Sequence, residues 1–385
     1  MPTTRAAEKS SVPKGGGDEV EGRGAGSKRR VEEKIHPESK RPKKDENGEQ
    51  QTIEKIVPKP AEGGENGSPP KTVKEEPEVS KVEEGDTTEG HEKKPHVAKK
   101  HDAREGLMPT NILEKGIIYF FFRGRVGIEE PSSVDEIQRS YMILRPLDKD
   151  AKLEEGAIPD SGNSRLIAVP KKVFPRSGRD RWIAFVEKAK ASLDTLKEQF
   201  LSSSDYETKT VGTRHMPAAT PAAEGIYAIT TTGRESHLAY VITLPSELGE
   251  VQGELGLREK GSFIISTRNP QYEAPKGTAL PKGPDYPKEI QEDFRALRWV
   301  PLQPHHLDYA STQFLLIGES SGIKKATEPQ MEDEKEGRET PAEELMKLED
   351  EDTHRMEGLR GDDSVAIFND LGALANDYPK LKREF

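Results

Sequence analysis

The chain contains no cysteine, which excludes disulfides, zinc–thiolate centres and thiol nucleophiles. Apolar residues are scarce. Hydrophobic residues make up 31% and aromatics 6%, against 34% charged, so much of the chain lacks the means to bury a core. The scarcity is concentrated in one place: residues 1–106 contain no Leu, Phe, Tyr or Trp. Such a segment cannot offset a backbone entropy cost of roughly 1–2 kcal/mol per residue, and it is expected to be a disordered tail. No apolar run approaches the roughly 18–20 residues that span a bilayer. The first residues, with Arg5, Glu8 and Lys9 and no apolar stretch behind them, do not resemble a secretory signal. The expectation is an intracellular protein with no membrane partner.

Basic charge is in deficit. The formal net charge is -11, and residues 319–385 hold about -9 of it, with 10 Lys and Arg against 19 Asp and Glu. This acidic stretch is expected to be a second, mostly disordered tail with one short helix. Ile367, Phe368, Leu371 and Leu374 recur there at near-helical spacing beside Asp362, Asp363 and Asp370. That pattern suits a segment that folds on a partner or docks back on its own domain. The middle, residues 107–318, is close to neutral and lacks the basic field of a phosphate-binding surface, so nucleic acid is not expected to bind through the core.

What the middle does contain is strand after strand. Gly116–Phe122 is a continuous apolar, β-rich run expected to be buried on both faces. Ser140–Arg145, Arg165–Val169 and Arg181–Val186 follow, the last leading into a helix over Ala191–Leu201 whose Leu193, Leu196 and Phe200 share one face and whose Ser192 is placed to cap it. Gly225–Thr231 and His237–Leu244 flank a Gly-containing loop and read as a hairpin. A short helix running to Leu255 and closed by Gly256 comes next, then a strand at Gly261–Thr267, a helix at Pro287–Phe294, a short strand at Arg298–Val300 and a last strand at Gln313–Ile317. Short connections argue against βαβ crossovers. The fold class expected is α+β, a largely antiparallel sheet or barrel-like core with a few helices. Two halves of strands followed by a helix hint at duplication.

Several motifs invite a function. Lys28-Arg29-Arg30 and Lys40-Arg41-Pro42-Lys43-Lys44 form two basic clusters of the kind a nuclear import receptor reads, the alternative being a solvated charge run. Val73-Lys74-Glu75-Glu76 fits the short pattern of SUMO attachment at Lys74. Gly318-Glu319-Ser320-Ser321-Gly322 matches a nucleophile elbow, yet the one later histidine, His354, lies in the acidic tail, and no oxyanion segment precedes the serine. In the polar stretch Tyr206–Gly225, Glu207, Arg214, His215 and Glu224 could line a pocket, with His215 or Glu207 as base and Arg214 holding an anion. The plainer reading is a solvent-facing edge strand and loop. Arg123 and Arg125 are candidate anion binders, with a surface salt bridge as the commoner outcome. His305 and His306 follow Pro304, with Asp308 the one acid at ligand spacing. No metal site and no cofactor is expected.

The phrases KGIIYFFFRGRV (Lys115–Val126), YETKTVGTRHMPAATPAAEGIYAIT (Tyr206–Thr230), SHLAYVITLPSELGEVQ (Ser236–Gln252) and GSFIISTRNP (Gly261–Pro270) resemble a family of uncharacterised fungal proteins, with similar cores in bacteria and plants. Fungal members are often labelled BTB-domain transcription factors. The residues do not support that label, because a BTB domain is helix-rich and this region reads as strands. The resemblance implies no activity for any residue here. The expectation is therefore a nuclear, non-enzymatic interaction or regulatory protein, shared with the cytoplasm and set in transcription, whose core binds an unidentified protein partner. The rival expectation is an enzyme or small-molecule binder using the pocket at 206–225.

Overall fold

Tyr119, Phe120, Phe121 and Phe122 are all fully buried although successive strand residues point to opposite faces. Both faces of their strand are therefore covered, and the computed structural model of the protein shows by what. It describes residues 99–100, 106–209, 212–274, 280–359 and 361–385. The strands are β1 (Lys99–Lys100), β2 (Ile112–Gly124), β3 (Ile137–Leu147), β4 (Ala151–Lys152), β5 (Ser164–Val169), β6 (Arg181–Ala191), β7 (Ser204–Thr208), β8 (Gly212–Met216), β9 (Thr220–Thr231), β10 (Ser236–Leu244), β11 (Lys260–Arg268), β12 (Trp299–Pro301) and β13 (Gln313–Gly318). The main sheet runs β10-β9-β2-β3-β5-β6-β13-β11, and a further β10–β11 pairing closes it into an eight-stranded antiparallel barrel, with β12 added beside β11. Two four-stranded meanders, β2-β3-β5-β6 and β9-β10-β11-β13, make up the wall.

The barrel interior is packed with side chains from every wall strand. Phe120 meets Phe174 and Tyr240 edge-on, with ring centroids 5.2 and 5.1 Å apart, and Tyr240 stacks on Phe263 at 5.4 Å. Ile118, Met142, Ile167, Val186, Leu238, Ile265 and Leu316 complete the filling. An eight-stranded barrel has an interior just wide enough for side chains, and each large apolar residue so buried contributes about 1.5–3 kcal/mol. Gly261 is required here. It lies opposite Tyr240 in the register, and a Cβ on it would fall 2.4 Å from the Tyr240 hydroxyl. One end is plugged by Leu302 and by Leu307, which lies in a 3-10 turn, Pro304–Asp308. The other end is capped by Phe174 and by Val251 and Leu255 of a short helix.

The helices are α1 (Leu193–Leu196, continued by a π-turn over Lys197–Leu201), α2 (Glu250–Leu255), α3 (Lys288–Glu292), α4 (Met331–Glu336), α5 (Pro341–Glu357) and α6 (Asp363–Asp370). Ser192 caps α1 by accepting from the Thr195 amide, and Gly256 closes α2 in the left-handed region at φ 88°, as their residue types dictate. The outer face of the barrel, Ile117, Tyr119, Phe121, Ile143 and Val241, is covered by Phe200, by Leu345 and Leu348 of α5, and by Ile367 and Phe368 of α6.

The expected boundary at residue 318 is therefore corrected. Residues 319–385 are part of the folded unit: α5 opens with a Thr340–Glu343 capping box and α6 with an Asp362 cap. The reason is charge complementarity. Glu344 of α5 meets buried Lys115 of β2 at 2.8 Å, and Asp370 of α6 meets buried Arg145 of β3 at 3.2 Å, so two acids of the stretch neutralise the barrel wall. Leu374 alone of the four spaced apolar residues stays outside, 71% exposed.

Candidate functional site

Three charged constellations stand out, and they differ in depth. The deepest lies in the seam between the barrel and the C-terminal helices. Arg355 of α5 donates from Nη2 to Glu224 Oε1 and Asp352 Oδ1, each at 2.7 Å, and from Nη1 to Asp370 Oδ1 at 2.9 Å. Arg145 Nη1 donates to the Asp370 carbonyl at 2.7 Å, Tyr119 donates its hydroxyl to Asp370, and Thr243 donates to Asp352 at 2.7 Å. Three carboxylates face two guanidiniums, so one negative charge is in excess. Burial pushes the Glu224 carboxyl up to about 8, with Arg355 pulling it down and Asp352 pushing it up. Burial likewise pushes Asp370 up to about 7. For Arg355, burial is outweighed by Asp352 and Glu224, and its pKa is raised. All five groups are buried and mutually bonded, and the arrangement joins helices to barrel.

A second constellation lies inside the plugged end of the barrel. Arg165 of β5 forks between Glu114 of β2, at 2.7 Å, and Asp308, at 2.7 Å, while the Tyr227 hydroxyl donates to Glu114 at 2.8 Å. Asp308 is thereby committed to Arg165 and ties the plug down. The acid that the histidine pair meets is Asp293, just beyond α3. Its Oδ2 lies 2.7 Å from His305 Nε2 and 3.3 Å from His306 Nε2. His306 is fully buried, whereas Asp293 and His305 are exposed. Sequence reasoning missed this triad because Asp293 stands outside the local turn. A signal was available in the His305-His306 pair itself.

The third constellation is an arm outside the barrel. β7 and β8 form their own two-stranded sheet, Asp205 opposite His215, Tyr206 opposite Arg214 and Glu207 opposite Thr213. Asp205 Oδ1 lies 2.6 Å and Glu129 Oε1 3.3 Å from the His215 ring. Alternation puts Glu207 and His215 on one face of the arm and Tyr206 and Arg214 on the other. Glu224 is elsewhere, fully buried in the seam. The four residues that could have lined one pocket therefore do not converge, and β7 is the solvent-facing strand of the plainer reading. The polar spacing that suggested a pocket is that of an exposed hairpin followed by a buried strand.

The remaining candidates are also separated. Arg123 is buried, donates to the Phe200 carbonyl and lies 5.4 Å over the Phe200 ring. It braces the α1 turn, while Arg125 is exposed. The Gly318–Gly322 segment is followed by turns in place of the helix a nucleophile elbow needs, and its Glu319 instead anchors buried His237 at 2.8 Å and Ser262 at 2.6 Å. Lys28, Arg29, Arg30, Lys40, Arg41, Lys43, Lys44 and Lys74 lie outside the described residues. Among those described, no helix is long and apolar enough to cross a membrane. The chain matches no protein-family model, and no curated protein or solved structure shows significant similarity to it.

Proposed function

We propose that this chain is a non-enzymatic nuclear interaction protein, a filled barrel that presents the β7–β8 arm to a protein partner. The observation that carries the reading is the arm itself. Among the described residues β7 pairs with β8 and with no strand of the barrel, and Ser204–Glu207 are all exposed, Tyr206 by 37%. An exposed strand edge is a template for adding an extended segment of another chain. A cross-strand tyrosine and arginine are residue types enriched where partners are held. The packed barrel interior and the dispersal of Glu207, Arg214, His215 and Glu224 favour this reading over an enzyme. The basic clusters at Lys28–Arg30 and Lys40–Lys44 support import as the route to a nuclear partner.

Proximity labelling in cells tests both parts. The full chain is compared with one in which residues 204–216 are replaced by a short Gly-Ser linker, and with one in which the two basic clusters are changed to alanine. Loss of a specific set of labelled nuclear proteins on arm replacement, with stability unchanged, is the expected result. An identical labelled set would refute the arm as the docking element, and unchanged nuclear accumulation of the alanine variant would refute the import assignment.

A further inference from the structure

Two imidazoles and a carboxylate converge where the plug of the barrel meets α3. One ligand atom from each of Asp293, His305 and His306 lies within 4.8 Å of the other two. Four ligands held tetrahedrally at the usual 2.0–2.1 Å from zinc stand about 3.3 Å apart. The Asp293–His306 separation of 3.3 Å matches that value, and the Asp293–His305 separation of 2.7 Å must open by about 0.6 Å to reach it. We propose that Asp293, His305 and His306 form a divalent-metal site of the zinc class, its remaining positions open to water, that clamps α3 onto the turn plugging the barrel.

The donor set fits the class. Imidazole with one carboxylate suits zinc and its late first-row neighbours, whereas magnesium and calcium prefer oxygen ligands throughout. The buried ligand is oriented before any ion arrives. The His306 ring stacks on Phe294 with centroids 5.5 Å apart and packs against Tyr286 at 6.1 Å. Its Nδ1 lies 2.9 Å from Thr267 Oγ1 on β11, the kind of outer partner that fixes a ligating ring.

Without metal, Nδ1 accepts the Gln303 amide at 3.1 Å, which leaves the ring proton on Nε2, facing Asp293. Loading moves that proton to Nδ1, where the Thr267 hydroxyl accepts it, and the Gln303 amide gives up its contact. No proton need leave His306. The chain is turned back after Asp293 by Arg295 and Ala296, consecutive non-glycine residues at φ 43° and 61°, a conformation that persists where its surroundings hold it.

The test uses the full chain. His91, His96 and His101 in HEKKPHVAKKH supply a competing set of imidazoles, so all three are replaced by glutamine in the background protein. This protein, stripped with a chelator, is titrated with Zn2+ against a chromophoric competitor, and its melting temperature is followed in parallel. D293N and H305A are compared in the same background, since both positions are exposed and either change leaves the core intact. The expected result is one zinc bound with a rise in melting temperature, and affinity weakened about tenfold or more in each variant, at least as much as the loss of an outer-shell partner. Equal uptake by the variants, or no uptake in excess zinc, would overturn the site.

Discussion

Arg355 Nη2 and Glu224 Oε1 lie 2.7 Å apart, both side chains fully buried, across 131 residues of sequence. This pair fastens the C-terminal helices to β9. Removing one partner of a buried ion pair costs about 3–5 kcal/mol because the other charge is left without compensation. Above pH 8, where Glu224 and Asp370 are ionised, Arg355→Ala leaves three carboxylates facing Arg145 alone. Urea unfolding of this variant is expected to show a loss of that size. A loss below about 1 kcal/mol, the range of exposed pairs, would mean that the seam is wet.

The same cluster sets a pH dependence. Glu224 and Asp370 titrate at about 8 and about 7, above their ordinary 4.5 and 3.8, so the folded state binds their protons more tightly than the unfolded state does. Their stabilising contribution is complete below the ordinary values, declines as pH rises, and is gone once pH has passed through about 8. Thermal melts from acid to mildly alkaline pH are expected to show this decline. Glu224→Gln is expected to flatten it and to raise stability above pH 8. Parallel curves for the two proteins would show that Glu224 is ionised throughout.

A chain ending at residue 318 is expected to fail. It would uncover the outer wall of the barrel, where Leu345, Leu348, Ile367, Phe368 and Leu371 are each at most 2% exposed. Over these five, lost burial of about 1.5–3 kcal/mol per side chain is comparable with the usual stability of a domain, about 5–15 kcal/mol. Size-exclusion chromatography should report aggregate. A monomeric, cooperatively melting product would contradict the packing described for α5 and α6.

Gly261 and Tyr240 make a prediction confined to the barrel interior. Gly261→Val places branched atoms where the Tyr240 ring lies, and overpacking of this kind costs about 1–3 kcal/mol. The double variant with Tyr240→Ala is expected to be less destabilised than the two single losses added together. Additive losses in the double-mutant cycle would deny the contact.

The strands could be read from the sequence because their signal is local. Phe120 and Phe122 point inward while Tyr119 and Phe121 point outward, and a run apolar on both faces announces burial without saying against what. Ser192 and Gly256 marked helix ends by backbone chemistry that needs no neighbour. The stretch 206–225 allows both a pocket and a solvent-facing edge, because spacing along the chain cannot show which face a strand presents, and the exposed β7–β8 hairpin agrees with the second. Asp293 was overlooked for the opposite reason: its partners His305 and His306 become neighbours only when the turn folds over the barrel end.

The sequence by itself determined the α+β class, the order and approximate bounds of the barrel strands, and the absence of thiol chemistry, all consequences of side-chain type and period. Tertiary structure decided the closure of β10 on β11, the filling of the interior and the fate of the acidic C-terminal stretch. Composition marks Glu344, Asp352 and Asp370 as soluble charges. Lys115, Arg145 and Arg355 make them buried ones, because the energy of a charge depends on what stands within a few ångströms of it, and that distance is set by the fold.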